Sequence, residues 1–268
     1  MPWFSKLLVS GVCALGCASG SAQALDELSP EFRALRIQVA RALVKIEVIN
    51  QDGSYALGTA VVVAPGKAVT NCHVTRSAAR INALWGGLRY GAAGQNVDAG
   101  HDLCLVHVPR LEVAPVAIAS EAEQNPKAGQ LTLAAGFVGG QGLQIAQGEV
   151  VALHAHDGGK VIQSTTAFTS GASGGGLFNA RGELLGILTF RLRGADAHYF
   201  SAPARWISAA LLDPAKAARI APISGVAFWQ AQGLALPYFL QAAPLEAGKQ
   251  WNELVRLTER WAAADPRS

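Results

Sequence analysis

The chain has 268 residues with a formal charge of +3, half of them apolar and only 15% charged. That is enough chain for one or two folded domains and too apolar for extended disorder, and no block of like charges argues for nucleic acid or an anionic membrane surface as partner. The 29 glycines and 12 prolines favour short strands and tight turns over a helical bundle.

Residues 1–24 read as a signal peptide. Lys6 supplies a positive start, Leu7 to Ala18 is apolar or small for too short a run to span a bilayer comfortably, and Ala22-Gln23-Ala24 offers a small-x-small cleavage site before Leu25. The destination is periplasmic or secreted, with no membrane span in the mature chain. Two alternatives stay open: an uncleaved anchor, and lipidation at Leu15-Gly16-Cys17, where Ala14 stands in place of the usual Leu. Cleavage removes Cys13 and Cys17, leaving Cys72 and Cys104 and one possible bridge.

Asp26 to Ala42 mixes apolar residues with charges behind Ser29-Pro30-Glu31, the signature of a short helix. Short β-branched runs follow at Val44 to Val48, Ala56 to Val63, Lys67 to Thr70, Val97 to Val108, Leu131 to Phe137, Leu143 to Leu153, Lys160 to Thr165, Gly176 to Phe178, Leu184 to Phe190 and His198 to Ser201. Asn125 to Gly129 is the best linker and splits the strands into similar groups. The expected fold is all-β: two packed antiparallel six-stranded barrels, residues 25–125 with the N-terminal helix and 126–205, followed by helices over 206–268. Trp251, Leu254, Val255, Thr258 and Trp261 form one apolar stripe on a terminal helix expected to dock on the barrels.

Three segments carry chemistry: Thr70-Asn71-Cys72-His73-Val74, His101-Asp102-Leu103-Cys104-Leu105-Val106, and Gly171-Ala172-Ser173-Gly174-Gly175-Gly176-Leu177. Singly each is ordinary. Jointly they describe a nucleophile, its base and the base's orienter, because a serine hydroxyl needs an imidazole to take its proton and a carboxylate to fix the imidazole tautomer. Gly171, free of a side chain, lets the loop aim its own N–H and that of Ser173 at a developing oxyanion.

With these motifs in order, the chain resembles trypsin-like serine proteases, nearest to the HtrA (Deg) peptidase domain, from about Val44 to Pro203. Gly182-Glu183-Leu184-Leu185-Gly186-Ile187 stands at the family's offset behind the serine, and Tyr199-Phe200-Ser201-Ala202-Pro203 resembles its closing strand. The resemblance implies a serine endopeptidase acting on protein or peptide substrates, with a triad of His73, Asp102 and Ser173 in the cleft between the barrels and no cofactor or metal. An inactive relative keeping the cleft for binding is the alternative, and an esterase-type hydrolase is a third.

The chain also departs from its relatives. Ala172 precedes the serine where digestive enzymes carry an Asp for a new N-terminal ammonium, which leaves loop ordering, with Gly136 to Gly142 as the mobile stretch, as the means of regulation. The stretch after Pro203 reads as helices, not as a PDZ domain. If Asp102 reaches His73 along a strand, Cys104 falls on the side of Cys72, so the two either form a disulfide or pack as free thiols.

By analogy the primary pocket involves Ala167, Thr189, Phe190, Arg191 and His198, with the backbone of Thr189 to Arg191 pairing to substrate. No acidic residue occurs from Lys160 to Gly182, which disfavours Lys or Arg selection. A small or medium apolar side chain fits best, and His198 with Thr165 or Thr166 leaves a glutamate-selective pocket open. His101 and His107 read as strand residues, and His154 and His156 as surface ones.

Overall fold

A computed structural model describes residues 30–192 and 198–264. The signal-peptide expectation falls on residues outside this range. Helix α1 (Pro30–Arg41) leads into β1 (Leu43–Asn50), β2 (Tyr55–Ala64) and β3 (Lys67–Asn71), and a single turn, α2 (Cys72–Thr75), precedes β4 (Ala78–Trp85), β5 (Leu88–Gly91), β6 (Gly94–Asp98) and β7 (Leu103–His107). These seven strands form one antiparallel sheet in the order β5-β4-β1-β2-β3-β7-β6.

The first unit was expected to have six strands, and the difference has a local cause. β5 and β6 are consecutive pieces interrupted at Ala92-Ala93, where the chain crosses from one edge of the sheet to the other. Ala92 N donates to Ile81 O on β4 (2.9 Å) and Ala93 N to His107 O on β7 (2.8 Å), so the two edges are drawn together around the break. Alternate residues Val44, Ile46 and Val48 of β1 fill the inside with Ala60, Val62, Ile81 and Val106. The opposite set, Leu43, Val61, Val69, Leu103 and Leu105, packs against the second half of the molecule. With both faces covered, these strands read as nearly continuous apolar runs.

The second half is a closed six-stranded barrel, β10-β13-β12-β11-β8-β9, made of β8 (Leu131–Phe137), β9 (Leu143–His156), β10 (Gly159–Ser164), β11 (Gly176–Phe178), β12 (Leu184–Leu192) and β13 (His198–Pro203). Ala134, Val150, Ile162, Leu177, Leu185 and Leu188 fill it. Closure pairs each strand on both sides over at least part of its length, β12 being paired to β11 only up to Ile187.

After β13 the chain does not simply stack helices on the barrel. Helix α3 (Ala209–Leu212) packs beside β6, where Asn96 Nδ2 donates to the carbonyls of Leu211 (2.8 Å) and Asp213 (2.7 Å). Gln95 and Ala218 then exchange backbone hydrogen bonds. An irregular stretch carries the chain past His73 and into α4 (Tyr238–Ala247) and α5 (Trp251–Ala264). The stripe expected to dock α5 is only partly used: Trp251 and Val255 are each 55% exposed, while Leu257, outside that stripe, is 1% exposed. Helix α5 packs on α4, with Trp261 stacked on Tyr238 (5.9 Å). No helix among the described residues is long and apolar enough to cross a membrane.

Cys72 and Cys104 form a disulfide, with an S–S distance of 2.06 Å and Cα atoms 4.9 Å apart. It joins α2 to β7 and closes a loop 32 residues apart in sequence. In the chain-entropy model such a closure stabilises by about 3–4 kcal/mol. Reduction of the native protein is therefore expected to lower the midpoint of denaturant unfolding by an amount equivalent to that figure, and a Cys72→Ala/Cys104→Ala variant should show the same loss with no further effect of reductant.

Candidate active site

β3 ends at Asn71, and the chain turns at once into α2, which sets His73 at the mouth between the two halves. Asp102 faces it from the turn before β7, not from the strand as expected, with φ of 59° and no exposed surface. The positive φ belongs to a turn residue whose carbonyl and side chain both serve α2. Its carbonyl accepts from Cys72 N (3.1 Å) and from Asn71 Nδ2 (3.1 Å), while Oδ1 accepts from His73 N (2.8 Å) and Oδ2 meets His73 Nδ1 at 2.6 Å. With Nδ1 as the donor to Oδ2, the other ring nitrogen, Nε2, is left as the acceptor of a neutral imidazole.

Asp102 Oδ2 has a second donor that the sequence reading missed, the indole Nε1 of Trp229 at 3.0 Å. That ring stands perpendicular to the imidazole (85°, centroids 5.6 Å) and stacks on Phe190 (12°, 5.1 Å).

Ser173 lies in the loop before β11. Ala172 N donates to Thr169 O (3.0 Å), Gly174 N to Leu188 O (2.9 Å) and Gly175 N to Ala172 O (2.8 Å), and Thr59 N of the first sheet donates to Ser173 O (2.9 Å). The amides of Gly171 and Ser173 have no acceptor among the described residues. Gly139 N donates to Ser170 O (2.9 Å). Since carbonyl and N–H of a trans peptide point in opposite directions, this bond turns the Gly171 N–H away from Gly139. The backbone there has φ of 95°, and a Cβ would lie 2.7 Å from Phe137 O, so only glycine fits. Thr59 Oγ1 donates to Gly171 O (2.9 Å) and accepts from Phe137 N (2.8 Å), and Lys45 Nζ donates to Gly140 O. The Gly136 to Gly142 stretch is thus tied to the serine loop and to the first sheet. Among the described residues His73 Nε2 and Ser173 Oγ make no hydrogen bond to each other.

The residues expected around a primary pocket fall into different environments. Ala167 lines a cavity of about 280 Å³ with Phe168, Ala172 and Leu188. Thr189 is buried, its hydroxyl donating to Ile187 O (2.8 Å). Phe190 is sandwiched between Phe200 (4.8 Å) and Trp229, so it offers backbone rather than ring. Arg191 is exposed, and His198 pairs with Leu192 in β13, described by its backbone alone. Thr166 bonds its hydroxyl to that of Thr132 (2.6 Å), and the exposed Thr165 accepts from Glu149 N (3.0 Å) with its own O–H still available to donate.

His101, expected on a strand, sits in the same turn as Asp102 and bridges the two halves: Nδ1 meets Asp98 at 2.7 Å and Nε2 meets Asp157 at 2.9 Å, with the ring stacked on Trp206 (4.1 Å). Burial opposes its charging, but the hydrogen bond and charge of Asp98, with Asp157 behind them, prevail and raise its pKa above the usual imidazole value. His154 stacks on Phe239 (4.4 Å) and His156 lies against Phe228 (5.0 Å), so both are partly covered. No cluster among the described residues suits a metal ion.

Two barrel-like β units meeting at a His–Asp pair and a glycine-flanked serine define a trypsin-like fold. The family model for the trypsin-like peptidase domain matches residues 58–187. It is 34% identical over 143 residues to a probable serine protease do-like of Buchnera aphidicola strain APS. It is 33% identical over 144 residues to a probable periplasmic serine endoprotease DegP-like of Buchnera aphidicola strain Sg. Each match covers 50% of this chain and 30% of the relative, so the chain spans about 30% of the length of these curated relatives. Among solved structures, a protease from M. tuberculosis in its active form superposes with a TM-score of 0.62 at 22% identity, over 72% of this chain and 88% of that one. The HtrA-type protease AlgW with tripeptide superposes with a TM-score of 0.57 at 25% identity, over 64% of this chain and 60% of that one.

Two outcomes are expected from this geometry. Gly171→Ala should lose about 1–3 kcal/mol of stability to backbone strain and the clash with Phe137 O, read as a lowered unfolding midpoint. For His101 the folded pKa is raised, so its contribution is complete below the unfolded value of about 6.5 and fades as pH rises through the folded value. The stability difference between wild type and His101→Gln should therefore be larger at about pH 5.5 than at about pH 9.

Proposed function

We propose that this chain is an exported serine endopeptidase that cleaves peptide bonds through an acyl-enzyme. The observation that carries this reading is the buried Asp102 carboxylate bonded at 2.6 Å to His73 Nδ1, beside a serine loop whose Gly171 and Ser173 amides have no acceptor among the described residues. In the proposed mechanism Ser173 Oγ attacks the scissile carbonyl while His73 Nε2 takes its proton. Asp102 stabilises the imidazolium that forms, and the Gly171 and Ser173 N–H groups hold the oxyanion. Collapse expels the amine, which receives the proton from His73. Water then repeats the sequence on the acyl-serine and releases the carboxylic acid. The bond between His73 and Ser173 is made in the complex with substrate, as is common when free sites are compared with occupied ones.

Beyond Leu188, β12 has no partner on the β11 side among the described residues, which supports binding of an extended substrate as an added antiparallel strand along Thr189 to Arg191. The absence of any acidic residue from Lys160 to Gly182 speaks against selection of Lys or Arg, and the cavity at Ala167, Phe168 and Leu188, which Arg36 and Gln144 also line, has room for a small or medium side chain. A disulfide between Cys72 and Cys104 suits an oxidising compartment and supports export to the periplasm or beyond.

A fluorophosphonate is expected to label the wild-type protein at Ser173, and Ser173→Ala should abolish both labelling and cleavage of unfolded casein while leaving the circular dichroism spectrum unchanged. Absence of labelling in folded wild type would assign the cleft to binding alone, and cleavage of activated esters with casein left whole would assign it to an esterase.

A further inference from the structure

The carboxylate that orients the base takes three donors: His73 N on Oδ1, and both His73 Nδ1 and Trp229 Nε1 on Oδ2. Two come from the histidine itself. The third comes from a tryptophan well past residue 187, the last residue matched by the family model. The polar side chains of β3 and β12 near Asp102 are committed elsewhere: Asn71 Nδ2 bonds the Asp102 carbonyl and Thr189 Oγ1, and Thr189 Oγ1 donates to Ile187 O. Without the indole, Oδ2 would depend on the imidazole alone.

Trp229 is held in place by a lacing of the preceding chain. Phe228 N donates to Gly100 O (2.9 Å), two residues before Asp102. Ile223 N donates to the carbonyl of Arg76 (2.8 Å), directly after α2, and Arg76 Nη1 returns a bond to Gly225 O (2.7 Å). Phe228 is buried between His156 and Trp206. The indole is then fixed by its stack on Phe190 and its perpendicular contact with the imidazole. Both turns that carry the His–Asp pair are therefore bonded to the segment that delivers the donor.

We infer that Trp229 is a positioning residue for the proposed hydrolase: its N–H is the third donor on the Asp102 carboxylate and its ring closes one side of the imidazole, so the segment after the peptidase domain is part of the catalytic apparatus. A buried carboxylate with one fewer charge-assisted donor holds its imidazole less rigidly, and the loss falls on the chemical step rather than on substrate binding. The inference rests on the reading of this cleft as a serine hydrolase, and its test includes arms that do not need turnover.

Trp229→Phe keeps an aromatic ring against Phe190 and His73 and deletes only the donor. In this variant kcat is expected to fall about tenfold, the scale of one charge-assisted hydrogen bond, with KM changed less than about twofold. The far-downfield proton resonance of His73 Nδ1–H should move further downfield, because Oδ2 then has that donor alone. In the reverse arm, Asp102→Asn should shift the indole N–H resonance of Trp229 upfield, and this reads the contact even if Trp229→Phe folds poorly. Unchanged kcat with an unmoved Nδ1–H resonance, a change confined to KM, or an indole resonance indifferent to Asp102→Asn would each reduce Trp229 to packing and overturn the inference. Fluorophosphonate labelling of the wild type reports separately on the hydrolase reading, so failure of one is distinguishable from failure of the other.

Discussion

Asp102 places a carboxylate where no water reaches it, and a buried charge is tolerated only when donors converge on it. Much of the surrounding architecture meets that demand. The turn at Asp102 adopts a left-handed conformation so that its carbonyl and side chain face α2 together. The disulfide ties α2 to β7 one residue before the histidine and two residues after the aspartate. The segment beyond β13 crosses the sheet edge at Gln95 and brings an indole N–H to Oδ2 as a third donor. A carboxylate this thoroughly held fixes the direction of the imidazole, and the imidazole direction decides which nitrogen is offered to the cleft.

The serine loop is governed by a different constraint, the handling of backbone amides. Most of its N–H groups are consumed locally, by Thr169, Leu188 and Ala172, and those of Gly171 and Ser173 are not. Neither residue is fully buried, so the two N–H groups are open to water or to an oxygen brought by a ligand. The arrangement depends on one peptide orientation, set by Gly139 on the Ser170 carbonyl, and on a glycine at the one position where Phe137 leaves no room for a Cβ.

The sequence made the β architecture and the three chemical segments legible because both are local signals: β-branched runs cut by glycine, and short motifs in a fixed order. It was less informative wherever distance in the chain mattered. β4 and β5 carry few β-branched residues, Ala78 to Trp85 and Leu88 to Gly91, and form through pairing, β4 with β1 and β5 with β4, rather than through their own propensity. The place of Cys104 was inferred from strand alternation through Asp102. The bridge is present, but Asp102 is a turn residue, and the sulfurs meet because Thr70 and Cys104 are opposite each other in the β3–β7 register. Periodicity showed that α5 is amphipathic but not which face α4 would cover. Trp229, in irregular chain, left no periodic signal at all, and its role depends on contacts across the whole fold.

From the first sheet Thr59 grips the serine loop twice, N–H to the Ser173 carbonyl and hydroxyl to the Gly171 carbonyl, while its own carbonyl accepts from Thr70 (2.6 Å) on β3, the strand that leads to His73. One threonine thus rivets the alcohol of one half to the base of the other. Any hinging of the two halves would have to break these bonds, so this one side chain couples the setting of the serine loop to that of the strand leading into α2.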